Sequence, residues 1–324
     1  MTILGIESSC DETSASLIKS TGEKLEVISN VTASSLPLHA TTGGIVPENA
    51  AREQIKYIIP VLKEALVSDF DAIAVTVGPG LIGSLLVGVE TAKTLSYVFK
   101  KRIIPVNHLI GHIYANWLEN KNIEFPALSL IVSGGHTDLF IIENHKKIKW
   151  VGGTKDDAAG EAFDKIGRLL NLPYPGGPEI EKAGKDIKFD NYNFPRPIIN
   201  SQDFDFSFSG LKTAVLREVQ GKKLSNVQIQ EISFSVQKAV VDVLVTKTLK
   251  AAKELKVKSI LLGGGVAANQ MLRDDLKNKS GQELFIPPKS LCTDNAAMIA
   301  AAAFYNGEPI NWDKISANPQ LSFA

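Results

Sequence analysis

The chain has 324 residues, 44% hydrophobic and 22% charged, with 35 Lys and Arg against 35 Asp and Glu. That length points to two domains rather than one, each with enough apolar material for a core. Charge balance excludes a global attraction to nucleic acid or anionic membrane, though not a local basic patch, and two cysteines without a CxxC exclude a disulfide framework and fit a reducing compartment.

The chain enters a strand at once, Thr2-Ile3-Leu4-Gly5-Ile6, with no signal-peptide core and no Arg-rich leader. A cytoplasmic protein without a membrane partner is therefore expected. Ala15 to Ile18 reads as a strand pairing with the first around the polar turn Ser8-Ser9-Cys10-Asp11-Glu12. Pro47 to Val67 has helical periodicity. Ala72 to Val89 is an uncharged run of 18 residues, near the lower limit of a membrane span. Pro79 between Gly78 and Gly80 would break a helix there, so strand, turn and helix is the better reading. A strand over Arg102–Val106 and a helix over His108–Glu119 follow.

The pattern then restarts. Leu128–Val132 is a strand, Ser133-Gly134-Gly135-His136-Thr137 a polar turn and Leu139–Ile142 a strand, as at the start of the chain. Gly78-Pro79-Gly80 after a strand is echoed by Gly263-Gly264-Gly265 after Ile260-Leu261-Leu262. The first echo is spaced by 125 positions and the second by 185, so about 60 extra residues are placed between Gly153 and Asn226. An internal duplication follows, with a boundary in Asn120–Pro126. Two like α/β lobes, each with a polar turn after its first strand, resemble the actin-like (ASKHA, ribonuclease-H-like) phosphotransferases. The expected architecture is thus a duplicated two-lobed α/β fold with a helical insertion in the second lobe. Residues 1–125 form the first lobe, 126–304 the second, and 305–324 pack back on the first.

His108 and His112 are four apart, so on a helix they share one face and suit a common metal; the alternative is two unrelated surface histidines. Leu109 follows His108 where a zinc protease of the HExxH type has its glutamate, which argues against a metalloprotease. Asp294 precedes an Ala-rich helix, where its ordinary role is an N-terminal cap worth about 1 kcal/mol. Glycine turns at 78–80, 134–135, 176–177 and 263–265 are nucleotide candidates, since glycine lets backbone N–H groups approach phosphate, but each also suits a tight turn. Asp164 is either a ribose acceptor or an exposed helix charge beside Lys165. The adjacent acids Asp11 and Glu12 are either functional or a solvated turn. Ser209 to Lys258 carries ten Lys and Arg against four Asp and Glu, which is a tRNA-contacting patch or the solvated faces of helices. Lys222, Lys223, Lys250 and Lys253 are expected to face solvent there.

Nine stretches together resemble the tRNA N(6)-adenosine threonylcarbamoyltransferase family in its bacterial form, once described as O-sialoglycoprotein endopeptidases. They are Gly5–Thr13, Gly43–Glu48, His108–His112, Val132–Thr137, Gly160–Lys165, Pro175–Pro178, Phe208–Ala214, Gly264–Asn269 and Cys292–Ala296, running from the first strand to the last helix. One departure is visible: many bacterial relatives carry histidine where Gln54 follows Arg52-Glu53. The resemblance implies that His108, His112 and Asp294 bind one metal, Fe(2+), with Zn(2+) in a purified sample. It implies that Ile131, Val132, Ser133, Gly134, Gly135, Asp164, Gly177, Asn269 and, less directly, Glu181 hold threonylcarbamoyl-AMP or ATP/AMP. Asp11 or Glu12 would serve the acceptor amine. The acceptor would be tRNA, at the adenosine beside the anticodon in tRNAs reading codons that begin with A, and the partners a paralogous actin-fold subunit and a small ATPase. An actin-fold small-molecule kinase is the competing reading; it would explain the glycine turns but has no need of a His-His-Asp site.

Overall fold

The computed structural model describes residues 1–22, 24–119 and 122–322. The chain opens with strands β1 (Thr2–Glu7), β2 (Glu12–Thr21) and β3 (Lys24–Ser34), then helices α1 (Leu36–Thr42) and α2 (Pro47–Ala65). Next come β4 (Ala72–Gly78), α3 (Ile82–Phe99), β5 (Arg102–Asn107) and α4 (His108–Tyr114), with a 3-10 turn over Ala115–Leu118. The following strands are β6 (Ala127–Val132), β7 (Thr137–Asn144) and β8 (Lys147–Gly153). Helices α5 (Ala159–Leu169), α6 (Gly176–Gly184), α7 (Ser209–Val219) and α8 (Asn226–Glu254) precede β9 (Ser259–Gly263), α9 (Gln270–Lys279) and β10 (Glu283–Phe285). The chain closes with α10 (Lys289–Cys292) and α11 (Ala296–Asn306). Among the described residues no helix is long and apolar enough to cross a membrane.

Two sheets result, ordered β3-β2-β1-β4-β5 and β10-β9-β6-β7-β8. In each, the first strand pairs antiparallel with the second and parallel with the strand that follows a long helix. The recurrence read from the sequence is therefore a recurrence of topology, β1-β2-β3-β4-β5 answering β6-β7-β8-β9-β10. The extra residues of the second copy are α5 to α7 and the loops that join them. The central strands β1, β4, β6 and β9 are buried almost throughout.

The chain divides into two compact units, Met1–Ile123 with Pro287–Ala324, and Glu124–Ile286. Of the expected boundary segment, residues 120 and 121 lie outside the described residues. A second lobe running to residue 304 is not what forms: α11 belongs to the first unit, with β1 and α4 as its main neighbours. The reason lies in small residues. Ala296 to Ala303 are all buried, so this helix has no solvent face and needs a close, flat support. Gly5 on β1 supplies one, since a Cβ there would lie 2.2 Å from the Ala296 carbonyl oxygen. Gly111 on α4 supplies another, but a Cβ there would meet the movable Cδ1 of Ile299, at 2.6 Å. The tail beyond α11 also packs on the first unit, with Asn318 N–H donating to the Val77 carbonyl at 2.7 Å and Ile310 bridging to Ile103.

Overpacking at backbone is costly, so Gly5→Ala should destabilise the protein by about 1–3 kcal/mol in denaturant unfolding. Gly111→Ala should cost less, because a side-chain methyl can move and alanine favours the helix. Equal losses would contradict this packing.

Candidate metal centre and nucleotide-binding turns

The parallel strands β1, β4 and β5 carry the first site at their carboxyl ends, the usual place for ligands in open α/β sheets. β5 runs directly into α4, whose first residue is His108; the Asn107 side chain caps the helix by accepting the Leu109 N–H at 2.9 Å. One helical turn later comes His112, so the two rings stack edge to face with centroids 4.7 Å apart. Asp294 stands just before α11. It is not that helix's cap: Asn295 fills the role, accepting the Met298 N–H at 3.1 Å. Asp294 Oδ1 instead lies 3.2 Å from His112 Nε2 and 3.5 Å from His108 Nε2.

One ligand atom from each of His108, His112 and Asp294 lies within 4.8 Å of the other two. Among the described residues neither buried ring nitrogen of His112 makes a hydrogen bond, although Nε2 lies 3.2 Å from Asp294 Oδ1. Buried polar atoms are rarely left so, and two imidazoles with a carboxylate are a donor set suited to a first-row transition metal. The residues present therefore fit a metal ion. Burial alone would lower the His108 pKa, but the Asp294 and Glu7 carboxylates outweigh it and raise it to about 9.

Glu7, which motif reasoning passed over, sits behind His108 at the end of β1 and is wholly buried. Its Oε1 accepts the Ser9 N–H at 2.5 Å; its Oε2 accepts the Thr76 hydroxyl at 2.5 Å and lies 3.2 Å from His108 Nδ1. The Ser9 hydroxyl is also 3.2 Å from Nδ1. The available signal was an acid ending an otherwise apolar strand.

The turn Ser8–Glu12 is held by its neighbours. Leu81 N–H donates to the Ser9 carbonyl at 2.8 Å, and Ser35 donates to the Asp11 carbonyl through its hydroxyl and its N–H, at 2.8 and 2.9 Å. Gln54 on α2 is buried with its amide nitrogen 3.2 Å from the Ser8 carbonyl, 3.0 Å from that of Cys10 and 3.1 Å from that of Glu12. Carboxylate oxygens of Asp11, Glu12 and Asp294 also lie within 4.8 Å of one another. Burial, then the charges of Asp11 and Asp294, hold the Glu12 carboxyl well above the usual range.

In the second unit Gly160 and Gly264 press against the turn after β6, whereas Gly176 and Gly177 pack on α5 at Phe163 and Asp164. Ser133 N–H closes it onto the His136 carbonyl at 2.8 Å, and Gly134 and Gly135 are exposed with open space where a Cβ would be. Gly160, at the start of α5, donates its N–H to the Ser133 carbonyl at 3.1 Å, and Gly264, at φ +89, would place a Cβ 2.3 Å from the Val132 carbonyl. Ile131 and Val132 are buried strand residues, which leaves their backbone alone to serve a ligand. Gly177 lies in the first turn of α6.

Three of the polar candidates of this unit, Asp164, Glu181 and Asn269, each hold a helix start. Asp164 Oδ1 accepts the Gly176 N–H at 2.7 Å, Glu181 Oε1 the Gln270 N–H at 2.8 Å, and Asn269 Oδ1 the Leu272 N–H at 3.1 Å. Asp164 is thus no loose helix charge. Of the four lysines expected in solvent, Lys222, Lys223 and Lys253 are exposed. Lys250 is not: its ammonium donates to the Ser201 and Gln202 carbonyls at 2.8 and 2.7 Å, because the loop before α7 folds over α8.

Gln54→Leu would leave three carbonyls of the acidic turn without this donor. A loss of about 1–3 kcal/mol in chemical denaturation is expected. A neutral substitution would show that the turn does not depend on Gln54.

A family model described as tRNA N6-adenosine threonylcarbamoyltransferase matches residues 26–301. A relative of that name from Moorella thermoacetica is 49% identical over 314 residues, 94% of this chain and 91% of the relative. One from Thermosipho melanesiensis is 47% identical over 99% of this chain and 100% of its own. Among solved structures, component A of the (R)-2-hydroxyglutaryl-CoA dehydratase of Acidaminococcus fermentans matches at 14% identity and TM-score 0.57, covering 93% of this chain and 96% of that one. T. kodakarensis HypF matches at 13% identity and TM-score 0.61, covering 94% of this chain and 47% of that one. At such identities these two likenesses speak for the two-lobed actin-like fold alone. Identity near one half over almost the whole chain, with the family model across both units, shows that the chain belongs to the tRNA N6-adenosine threonylcarbamoyltransferase family, a family of transferases.

Proposed function

We propose that the protein transfers a threonylcarbamoyl group from threonylcarbamoyl-AMP to the exocyclic amine of the adenosine beside the anticodon, in tRNAs reading codons that begin with A. The observation that carries this reading is the convergence of His108, His112 and Asp294, with no hydrogen bond to either His112 nitrogen among the described residues, in a member of this family. These three residues would hold one metal ion, Fe(2+) in the cell and Zn(2+) in some purified samples. When bound, the ion supplies Lewis acidity toward carbamoyl or phosphate oxygens.

The chain's own residues do the rest. The adenine amine is a poor nucleophile, because its lone pair is delocalised into the ring, so the donor must be activated as a mixed anhydride. Backbone N–H groups of Gly134, Gly135 and Gly264–Val266 would face the phosphate, and Asp164 and Asn269, with Glu181 beside them, would place the AMP moiety. Asp11 or Glu12 would orient the incoming amine or take its proton. The raised Glu12 carboxyl supports Glu12 for proton uptake. Exposed Lys222, Lys223 and Lys253 would give salt-sensitive contacts to tRNA phosphates. A paralogous actin-fold subunit and a small ATPase would complete the assembly.

The test is a reaction of the protein and its companions with threonylcarbamoyl-AMP and unmodified tRNA, followed by nucleoside analysis. Modified adenosine is expected only when all are present; its absence from the complete mixture would overturn the reading.

Metal uptake must displace the proton that His108 keeps up to a pH of about 9. Zinc affinity measured by calorimetry should therefore rise about tenfold per pH unit below that value, one proton leaving per ion. His112→Ala should abolish binding. A pH-independent affinity would place the metal elsewhere. For the nucleotide, Asp164→Ala should weaken AMP binding by about tenfold, the loss of one charge-assisted hydrogen bond. An unchanged affinity would leave Asp164 only as the cap of α6.

A further inference from the structure

On the Nδ1 side of His108 the Ser9 hydroxyl, 3.2 Å away, can turn to donate or accept, whereas the roles around Glu7 follow one by one. Ser9 N–H is a backbone donor and cannot reverse, so the Glu7 oxygen 2.5 Å from it must accept. The other oxygen receives the Thr76 hydroxyl at 2.5 Å and faces His108 Nδ1 at 3.2 Å. A bare ring lone pair facing a buried carboxylate would be repelled, so Nδ1 carries a proton and donates it. That leaves Nε2, the nitrogen 3.5 Å from Asp294, as the atom with a lone pair to give once its own proton is gone.

We infer that Glu7 is a positioning residue that fixes His108 in the Nδ1–H tautomer and so makes Nε2 the metal-binding atom. The inference rests on the metal reading of His108, His112 and Asp294. It accounts for a wholly buried acid at the end of an apolar strand, where a hydrophobic residue would otherwise serve the core better. Three donors meet two carboxylate oxygens, which satisfies the acid, and among the described residues no lysine or arginine pairs with it.

Glu7→Gln is a sharp probe because it keeps size and removes one acceptor. The amide oxygen must turn to Ser9 N–H, which cannot reverse. The amide NH2 then faces Thr76, whose hydroxyl can turn to accept, and His108 Nδ1, which must become an acceptor. The ring proton moves to Nε2, where it blocks the metal. Thr76→Val is the contrasting change, since it removes one donor to Glu7 and leaves the carboxylate opposite Nδ1.

Zinc binding by the full-length protein and both variants, followed by calorimetry, gives the first readout. Glu7→Gln should weaken affinity between about 10- and 100-fold, the range for loss of a carboxylate behind a ligating histidine. Thr76→Val should bind close to the parent. The second readout needs no variant: ring nitrogen NMR of the zinc-loaded parent should show His108 with a proton on Nδ1 and zinc on Nε2. Parent-like affinity in Glu7→Gln, equal weakening in both variants, or zinc on Nδ1 of His108 would each overturn the role of Glu7 while leaving the metal site standing. A parent that binds no zinc at His108 would overturn both.

Discussion

A fully buried carboxylate that cannot be left unsatisfied governs the first unit. Glu7 ends β1 inside the protein, and desolvating an acid costs several kcal/mol unless donors surround it. Its donors come from three places: the turn that follows β1, the strand beside it and the helix that follows β5. Satisfying one side chain therefore ties Ser9, Thr76 and His108 to one point and sets the start of α4. His112 follows from helix geometry alone, one turn further on. Asp294 arrives by a different constraint, the seating of α11 on Gly5, which brings the end of the chain to its first strand.

The two halves share a strand order but place different residues in the same turn. After β1 the turn carries Asp11 and Glu12, and its carbonyls are tied down by Gln54 and Ser35. After β6 it carries Gly134 and Gly135, exposed and without side chains, with the glycines of α5 and of the segment after β9 pressed against its backbone. An acidic, buttressed turn suits a cation or an amine; a bare turn suits phosphate. Duplication gave two copies of one scaffold, and the turns differ in the residues they carry.

Much of this was legible in the sequence because the signals were periodic or ordered. Alternating apolar segments yielded the central strands, and the two echoes with their unequal spacing located α5 to α7 before any contact was known. The four-residue interval placed His108 and His112 on one face. What was not legible depended on contacts between distant segments. β3 and β8 are half-exposed edge strands without a clean alternation. The affiliation of α11 turned on a Cβ missing at residue 5. The roles of Glu7 and Gln54 depend on distant partners: Thr76 and His108 lie 69 and 101 positions from Glu7, and the carbonyls facing Gln54 lie 42 to 46 positions away. Asp294 reads as a helix cap from sequence, and only the dihedrals and hydrogen bonds of Asn295 assign the cap to its neighbour.

If these constraints build one metal centre, the position of the ion itself reveals it. Crystals of the protein grown with Fe(2+) under anaerobic conditions, or with Zn(2+), can be measured at the metal's absorption edge. A single strong anomalous peak is expected, bonded to Nε2 of His108, Nε2 of His112 and a carboxylate oxygen of Asp294, at about 2.0–2.2 Å for zinc. A peak on Asp11 and Glu12 instead, or none near α4 in metal-loaded protein, would contradict it.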